Sequence, residues 1–289
     1  MMEIIREIRK KWKPRRPTAH KGDFGRVFIL AGSRGLAGAA HLVGMGALRA
    51  GAGLVTVGVP DRIYNIVARR EAEVMVRPFP STREGSIGQK ALRPIRQFLK
   101  TQDVLAVGPG LSQNAETQKW VRTLLQRNTL PVVIDADALN ALRGHTLLLK
   151  KCGRAVLTPH PGEFVRLFGG RLGRADSIRK KRARETAQRF GVTMVLKGHR
   201  TVVAAPDGRV YRNPTGNPGM ATAGAGDVLT GILAALIGQG FSLWDAARFA
   251  VFFHGLAGDL AAKKIGPTGL VAGDLLNFLP AAFKKGLKG

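Results

Sequence analysis

Short apolar segments alternate with helix-like segments along most of the chain, and this alternation limits the fold to a small set. Apolar runs such as 26–31, 53–59 and 131–135 are bounded by glycine, proline or polar turns. Runs that are apolar throughout are typical of parallel strands that are buried on both faces. Strands that alternate with helices favour a mainly parallel sheet covered by helices on both sides. The sequence therefore predicts an α/β protein with three layers, α/β/α.

The other segments continue the same order. Further strands are predicted at 103–107, 155–158, 193–197, 201–205 and 209–211, the last two as an antiparallel pair. Helices are predicted at 38–50, 86–100, 113–127, 175–190, 226–237, 242–263 and 270–283. Residues 1–19 are predicted to be a basic extension, either a short helix or a disordered lead-in. One domain is predicted over 20–289.

The composition excludes several classes of protein. An apolar content of 45% is sufficient for a sizeable core, and no apolar run reaches 18 residues, so no membrane span is predicted. The single cysteine, Cys152, excludes a disulfide framework and any metal site made of several cysteines. A chain with one cysteine fits a reducing compartment, and a cytoplasmic location is predicted.

The net charge of +27, from 46 Lys and Arg against 19 Asp and Glu, raises the question of nucleic-acid binding. The cations are spread along the chain rather than concentrated in one tail. Aromatic residues make up 6% of the chain, too few for a platform on which bases stack. Nucleic acid is therefore not predicted as the main partner. Attraction of small anionic molecules is the alternative explanation of the charge.

The stretch 213–237 predicts an anion site. Its first half is rich in glycine and proline, and its second half has apolar residues at helical spacing. A glycine-rich turn that leads into a helix directs several backbone N–H groups at one point, where the helix dipole adds positive charge. Asp227 lies at this point, and its alternative role is the N-cap of a helix over 228–237. A carboxylate beside an anion site is typical of transfer of a phosphoryl group to a hydroxyl, whose proton the carboxylate accepts.

Polar residues follow five predicted strands, and ligands of open α/β sheets bind beyond the carboxyl ends of strands. A second glycine-rich turn, 32–40, follows the first strand, and Gly110 lies in the turn after 103–107. The other three ends bear side chains for which two roles stay open. Asp135 and Asp137 could hold magnesium or its waters, or Asp137 could cap a helix; His160 could contact a ligand or be structural. Glu163 could be an ordinary first-turn acid or lie near a metal, and Lys197 could contact phosphate or be solvated.

Eight segments, taken together and in order, resemble one family. They include G-S-R-G-L-A-G-A-A at 32–40, V-I-D-A-D-A-L-N-A-L at 133–142, L-T-P-H-P-G-E-F at 157–164 and G-N-P-G-M-A-T-A-G-A-G-D-V-L at 216–229. The chain resembles the ADP/ATP-dependent NAD(P)H-hydrate dehydratases of the ribokinase-like superfamily from about His20 to about Phe283. The segment T-P-H-P-G-E distinguishes this family from related vitamin kinases, which have Asn where this chain has His160. Ala225 departs from the hydroxyl residue that is common in the dehydratase loop.

The resemblance implies a ribokinase-like fold and a repair reaction. The enzyme would phosphorylate the ring hydroxyl of the S epimer of NADHX or NADPHX, the hydrated forms of NADH and NADPH, with ADP or ATP and Mg²⁺. Loss of phosphate would restore the coenzyme. The alternative is a ribokinase-like kinase of a vitamin or sugar. The resemblance also implies a homo-oligomer, often a tetramer, and a functional link to a separate NAD(P)H-hydrate epimerase, because only about 20 residues precede the match.

Site residues follow from the resemblance by position. Asp227 is the expected catalytic base, and the N–H groups from Ala223 to Gly226 are the expected anion hole. Substrate contacts are expected at Ala39, Gly110, His160 and Asp227. Nucleotide contacts are expected at Lys197, Gly198, His199, Arg200, Thr201, Gly224, Ala225 and Gly226. Glu163 is the expected metal residue, acting through water.

Overall fold

A mixed β-sheet forms the centre of the computed structural model, which describes residues 1–70, 72–173 and 175–288. Nine strands lie in this described part: β1 (Arg26–Leu30), β2 (Leu54–Pro60), β3 (Met75–Phe79), β4 (Val104–Val107), β5 (Val132–Ile134), β6 (Ala155–Leu157), β7 (Thr193–Leu196), β8 (Val202–Ala204) and β9 (Val210–Arg212). Their order across the sheet is β3-β2-β1-β4-β5-β6-β7-β8-β9. Strands β1 to β7 pair in parallel, whereas β8 and β9 are antiparallel. The predicted mainly parallel sheet is confirmed.

Helices cover both faces of this sheet. They are α1 (Met2–Lys11), α2 (Ala37–Arg49), α3 (Tyr64–Ala68), α4 (Leu92–Leu99), α5 (Ala115–Gln126), α6 (Ala136–Ala141), α7 (Pro161–Phe168), α8 (Asp176–Phe190), α9 (Ala225–Gly238), α10 (Leu243–Ile265) and α11 (Ala272–Leu287). None of the helices in these described ranges combines the length and the apolar character that crossing a bilayer requires.

The two faces of the sheet bury two separate apolar clusters. Successive side chains of a strand point to opposite faces. Val27 and Ile29 therefore join the cluster that includes α2, α9, α10 and α11, whereas Phe28 and Leu30 join the cluster beneath α4, α5, α7 and α8. This division gives the three layers that the alternating sequence predicts.

Helices α2 and α9 pack closely because glycines lie at their contact. A methyl group on Gly231 of α9 would overlap the backbone of α2 at Val43 and Ala47, and one on Gly46 would lie 2.7 Å from the Val228 oxygen. The small residues of α2 therefore serve tight packing against a neighbouring helix. The consequence for the site is that the start of α9 is held in a fixed position against α2.

Two regions differ from the sequence-based prediction. The helix predicted at 86–100 begins later, because Ser81 and Ile87 form an antiparallel bridge and a short 3₁₀ turn precedes α4. Strand β3 and helix α3 were not predicted. β3 is an edge strand with mostly exposed residues, and it contains Arg77 and Pro78, so it lacks the apolar pattern of the inner strands.

The amino-terminal extension is helical over Met2–Lys11, as one of the two alternatives predicted. Ile4 and Ile8 of α1 are buried in the same cluster as α10 and α11. The division into residues 1–19 and 20–289 stays a prediction, and its last residue, Gly289, lies outside the described residues.

Candidate active site

The candidate site lies at the edge of the sheet where β1, β4, β5, β6 and β7 end. These five strands are neighbours and run parallel, so their carboxyl ends meet at one edge. The turns predicted to bear ligands follow these five strands. An open parallel sheet binds ligands at this edge.

The anion loop, residues 222–226, comprises the turn that leads into α9 and the first two residues of that helix. Gly224 adopts the left-handed conformation, with φ of 86°, and caps α9 without a side chain. In the parts of the chain that the structure describes, the N–H groups of Ala223, Gly224 and Gly226 donate to no protein acceptor. Three unused donors at the start of a 14-residue helix form an arrangement suited to binding an anion.

Asp227 is the third residue of α9, directly after the anion loop. Its carboxylate accepts no hydrogen bond from any described residue. The pKa of Asp227 is raised to about 7, mainly by burial and also by the negative charge of Asp135, while the Lys197 ammonium opposes both. The alternative role of Asp227 as the N-cap of this helix is wrong, because Gly224 occupies that position. The carboxylate is thus free to accept a proton near neutral pH.

Lys197 lies beneath the anion loop and is ion-paired. Its Nζ is 2.8 Å from Asp135 Oδ1 and 3.8 Å from a Glu163 carboxylate oxygen, and its side chain is only 18% exposed. Burial by itself lowers the pKa of Lys197, but the two carboxylates outweigh it and the pKa is raised. A methyl group on Gly226 would lie 3.3 Å from Nζ. The solvated role for Lys197 is wrong, whereas its contact with a nucleotide stays a prediction.

Asp135 and Asp137 point to different partners. Asp135 is buried and accepts hydrogen bonds from Lys197 and from Thr230 Oγ1, each at 2.8 Å. Asp137 accepts the Ser112 N–H at 2.9 Å and the Asn140 side chain at 3.2 Å. Asp135, not Asp137, precedes helix α6, so the capping role predicted for Asp137 is wrong. Among the described residues, no group of three His, Cys, Asp or Glu side chains is arranged to hold a metal ion.

His160 and Glu163 form a reciprocal cap at the start of α7. His160 Nδ1 accepts the N–H groups of Gly162 and Glu163, at 3.0 and 3.3 Å, and Glu163 Oε2 accepts the His160 N–H at 2.7 Å. Nδ1 must be unprotonated to accept these bonds, which agrees with a pKa that burial lowers. The imidazole remains 49% exposed at the sheet edge. The capping role is observed, and contact of His160 with a substrate stays a prediction.

The turn after β7 contains the other residues expected to bind nucleotide, and Arg179 of α8 shapes it. The Arg179 guanidinium donates to the carbonyls of Lys197 and His199, and Thr201 Oγ1 donates to the Gly198 carbonyl at 3.1 Å. Gly198 and Arg200 both have positive φ, 133° and 52°. The turn therefore exposes residues 198–200 at the rim of the site. Sequence reasoning missed Arg179, a buried cation within a strongly charged helix.

Ala39 and Gly110, two of the expected substrate residues, are brought together. The Gly32 N–H donates to the Pro109 carbonyl at 2.8 Å and joins their two turns. A methyl group on Gly110 would lie 2.9 Å from the Ala39 Cβ, so no side chain fits there. Leu42, one turn further along α2, packs against Gly224 of the anion loop. The expected substrate residues of α2 thus adjoin the loop that carries the expected catalytic group.

Helix α10 holds residues 213–217, which precede the anion loop. Sequence reasoning did not detect this support. Asn213 Nδ2 and Thr215 Oγ1 donate to carbonyls of α10, both at 2.9 Å. Asp259 accepts the Gly216 N–H and the Asn217 side chain, at 3.0 and 3.1 Å. The available signal was His254 and Asp259, two polar residues in the mostly apolar middle part of this helix.

Comparison with solved structures first defines the class of the protein. A ribokinase-like superfamily protein from Enterococcus faecalis aligns with a TM-score of 0.82 and 28% identity, over 100% of this chain and 96% of that chain. The fold and the site define a ribokinase-like protein. A solved ADP/ATP-dependent NAD(P)H-hydrate dehydratase from Bacillus subtilis aligns equally well, with a TM-score of 0.82, 30% identity and coverage of 98% and 97%.

Sequence comparison then defines the family. The NAD(P)H-hydrate dehydratase family profile matches residues 27–281, and the chain belongs to this family. It is 36% identical to an ADP-dependent (S)-NAD(P)H-hydrate dehydratase from Neisseria meningitidis, over 95% of this chain and 90% of that protein. It is 49% identical to a bifunctional NAD(P)H-hydrate repair enzyme from Moorella thermoacetica, over 92% of this chain. The chain spans about half the length of that bifunctional relative, 51%.

Proposed function

We propose that this protein uses ADP or ATP to dehydrate the S epimer of NADHX or NADPHX and so returns NADH or NADPH. The observation that carries the proposal is the Asp227 carboxylate, which is partly buried, has no hydrogen-bond donor among the described residues and lies beside unused N–H groups. Family membership supports the same reaction, because relatives named for it align along nearly the whole chain.

Asp227 acts as the general base of the first step. It accepts the proton of the ring hydroxyl while that oxygen forms a bond to the terminal phosphoryl group and the bond from phosphorus to the nucleotide leaving group breaks. AMP leaves from ADP, and ADP leaves from ATP. The N–H groups of the anion loop hold the negative charge of the transferring group. A base whose pKa is about 7 works at neutral pH, and such bases contribute roughly 10²–10⁴-fold.

The second step needs little from the protein. The lone pair of the ring nitrogen expels phosphate as the carbon–oxygen bond breaks, and loss of a proton from the neighbouring ring carbon restores the double bond. Phosphorylation is what makes this step feasible, because phosphate is a far better leaving group than hydroxide. Ala39, Gly110 and His160 are the proposed contacts of the hydrate.

The nucleotide is proposed to lie between the anion loop and the turn at 197–201. Lys197 holds its charge beneath Gly226, where it adds to the positive potential of the helix start. Magnesium, when bound, would neutralise part of the charge on the nucleotide phosphates. The described residues offer no three-ligand cluster, so the phosphates would supply most ligands, and Glu163 would act through water. Both Glu163 oxygens lie near His160 or Lys197, which fits an indirect role.

We also propose further partners and a location for this protein. A homo-oligomer, a functional link to an NAD(P)H-hydrate epimerase and a cytoplasmic location all follow from the resemblance or the composition. A relative from Moorella thermoacetica is named bifunctional, which supports the functional link.

The test is product analysis with NADH hydrate and either ADP or ATP. The expected result is recovery of NADH absorbance with release of inorganic phosphate in equal amounts, and none when nucleotide is omitted. A stable phosphoester of some other acceptor, without NADH recovery, would instead establish a ribokinase-like small-molecule kinase. Parallel assays with ADP and ATP give the preferred nucleotide, and NADPHX in place of NADHX gives the preferred hydrate.

A further inference from the structure

In the peptide unit that joins Ala225 to Gly226, the carbonyl is bound by a side chain, whereas the N–H has no acceptor among the described residues. Its carbonyl, on Ala225, lies 2.9 Å from Nε2 of His254. Its N–H, on Gly226, belongs to the anion loop and has no acceptor within the described residues. The two groups lie in one rigid plane and point in opposite directions, so fixing the carbonyl also fixes the direction of the N–H.

The chemistry of the contact determines which atom carries the proton. A carbonyl oxygen can only accept, so Nε2 of His254 must be the protonated nitrogen. A hydrogen bond to the carbonyl draws electron density toward its oxygen, and the N–H of the same peptide becomes a stronger donor. His254 therefore affects the Gly226 N–H in two ways. It fixes the direction in which the N–H points, and it makes the N–H a stronger donor.

The support behind His254 is rigid. Phe252 and Asp259 of the same helix hold residues 215–217 by hydrogen bonds. Gly255, the next residue, packs against Thr215 so closely that no side chain fits between them. Helix α10 thus holds the polypeptide that precedes the anion loop, and His254 makes its one described hydrogen bond to the loop itself.

From this geometry we propose that His254 is a positioning residue of phosphoryl transfer. It orients the Ala225–Gly226 peptide so that the Gly226 N–H faces the transferring group. The inference rests on the proposed function, because it assigns a role within that reaction. His254 itself touches neither substrate nor nucleotide in this role, so it affects the rate of transfer rather than the binding of either ligand.

The test compares two substitutions of this histidine. His254→Leu removes the donor at similar volume, and His254→Gln keeps an N–H donor of similar reach. With NADHX and ADP, His254→Leu is expected to lower kcat by about 10–100-fold. This loss is smaller than the one that follows complete removal of an oxyanion donor. The KM for ADP should change by less than about threefold, because uniform binding is untouched. His254→Gln should recover most of kcat.

A matched control separates positioning from stability. Val121→Ala removes buried methyl groups from α5, on the other face of the sheet, and should lower the melting temperature without lowering kcat. The proposal is overturned if His254→Leu keeps kcat within about twofold of the wild type. It is also overturned if His254→Gln loses as much kcat as His254→Leu, or if Val121→Ala lowers kcat to the same extent.

Hydrogen exchange makes this test independent of the proposed reaction. Amide exchange across residues 222–228 should be faster in His254→Leu and unchanged in His254→Gln, whatever the substrate is. A wild type that returns no NADH from NADHX would refute the proposed function while the exchange result still decides whether His254 fixes the loop. Unchanged exchange in His254→Leu would refute the positioning role itself.

Discussion

Helices α7 and α9 both carry an acid at their third residue, and the two acids have opposite surroundings. Glu163 of α7 accepts the N–H of its own N-cap residue, His160, at 2.7 Å and lies 3.8 Å from Lys197. Asp227 of α9 accepts no hydrogen bond from the described residues, and burial raises its pKa to about 7. One carboxylate completes the structure of a helix start, and the other is available for chemistry.

The backbone before each helix explains the difference. His160 is extended, with ψ of 167°, and so is Val271 before α11, where Asp274 at the same third position accepts the Val271 N–H at 2.9 Å. An aspartate is therefore long enough to reach the N-cap N–H. Gly224 before α9 is left-handed, with φ of 86°. In that conformation its N–H makes no hydrogen bond to Asp227, and glycine adopts the conformation without strain.

The largest effect is expected from removing the free acid. Asp227→Asn should lower the rate of NADHX dehydration by roughly 10²–10⁴-fold, because the base is lost while the loop remains. Binding of ADP, measured by calorimetry, should stay close to wild type. Asp274→Asn is the matched control, an acid at the same helix position whose loss should not change kcat. Retained turnover in Asp227→Asn would disprove the mechanism.

Among these substitutions, loss of the ion pair between Lys197 and Asp135 should lower the free energy of unfolding most. Lys197→Met leaves Asp135 buried and unpaired, and breaking a buried pair costs about 3–5 kcal/mol. Denaturant unfolding should show this loss, and the double variant with Asp135→Asn should recover part of it. Full stability in Lys197→Met would show that Asp135 is solvated or protonated in the folded protein. Nucleotide affinity of the same variant tests the predicted contact of Lys197.

The pH dependence of kcat should follow the ionisation of Asp227 alone. Asp227 must be ionised to accept a proton, and its raised pKa of about 7 keeps it protonated in mildly acidic solution. The value of kcat should therefore rise about tenfold per pH unit up to about pH 7 and then level off. A profile that is flat between pH 5 and 8 would show that another group, or no group, accepts the proton.

The smallest effect is expected from the bound acid. Glu163→Gln keeps the size of the side chain but weakens the reciprocal cap of α7, which should cost about 0.5–2 kcal/mol in unfolding experiments. Turnover should fall by less than about tenfold at saturating magnesium. A much larger fall that additional magnesium partly restores would instead support the role of Glu163 near a metal through water.

Local sequence signals predicted much of this site. The glycine-rich stretch before an apolar helical run predicted the anion loop, and the segment from His160 to Glu163 contains the pattern of a helix start. Both features depend on residues that are close together in the chain, so the sequence displays them directly. Strand β3 was missed because an exposed edge strand with Arg77 and Pro78 has no apolar periodicity to detect.

Contacts between distant segments were not predictable in the same way. Lys197 and Asp135 are 62 residues apart, and His254 is 29 residues from Ala225. Each residue taken alone suits several roles, which is why Lys197 was equally compatible with solvent. Parallel strand pairing brings Lys197 to Asp135, and packing of α10 against α9 brings His254 to the anion loop.

The sequence by itself determined the layered α/β fold, the anion loop and the position of Asp227 at the third residue of its helix. Apolar periodicity and glycine conformation are local properties, and they act wherever the segment lies. Only the tertiary structure decided that Asp227 is buried beside Asp135 and Lys197. Burial and these two charges set its pKa, and both depend on how separate segments meet at one edge of the sheet.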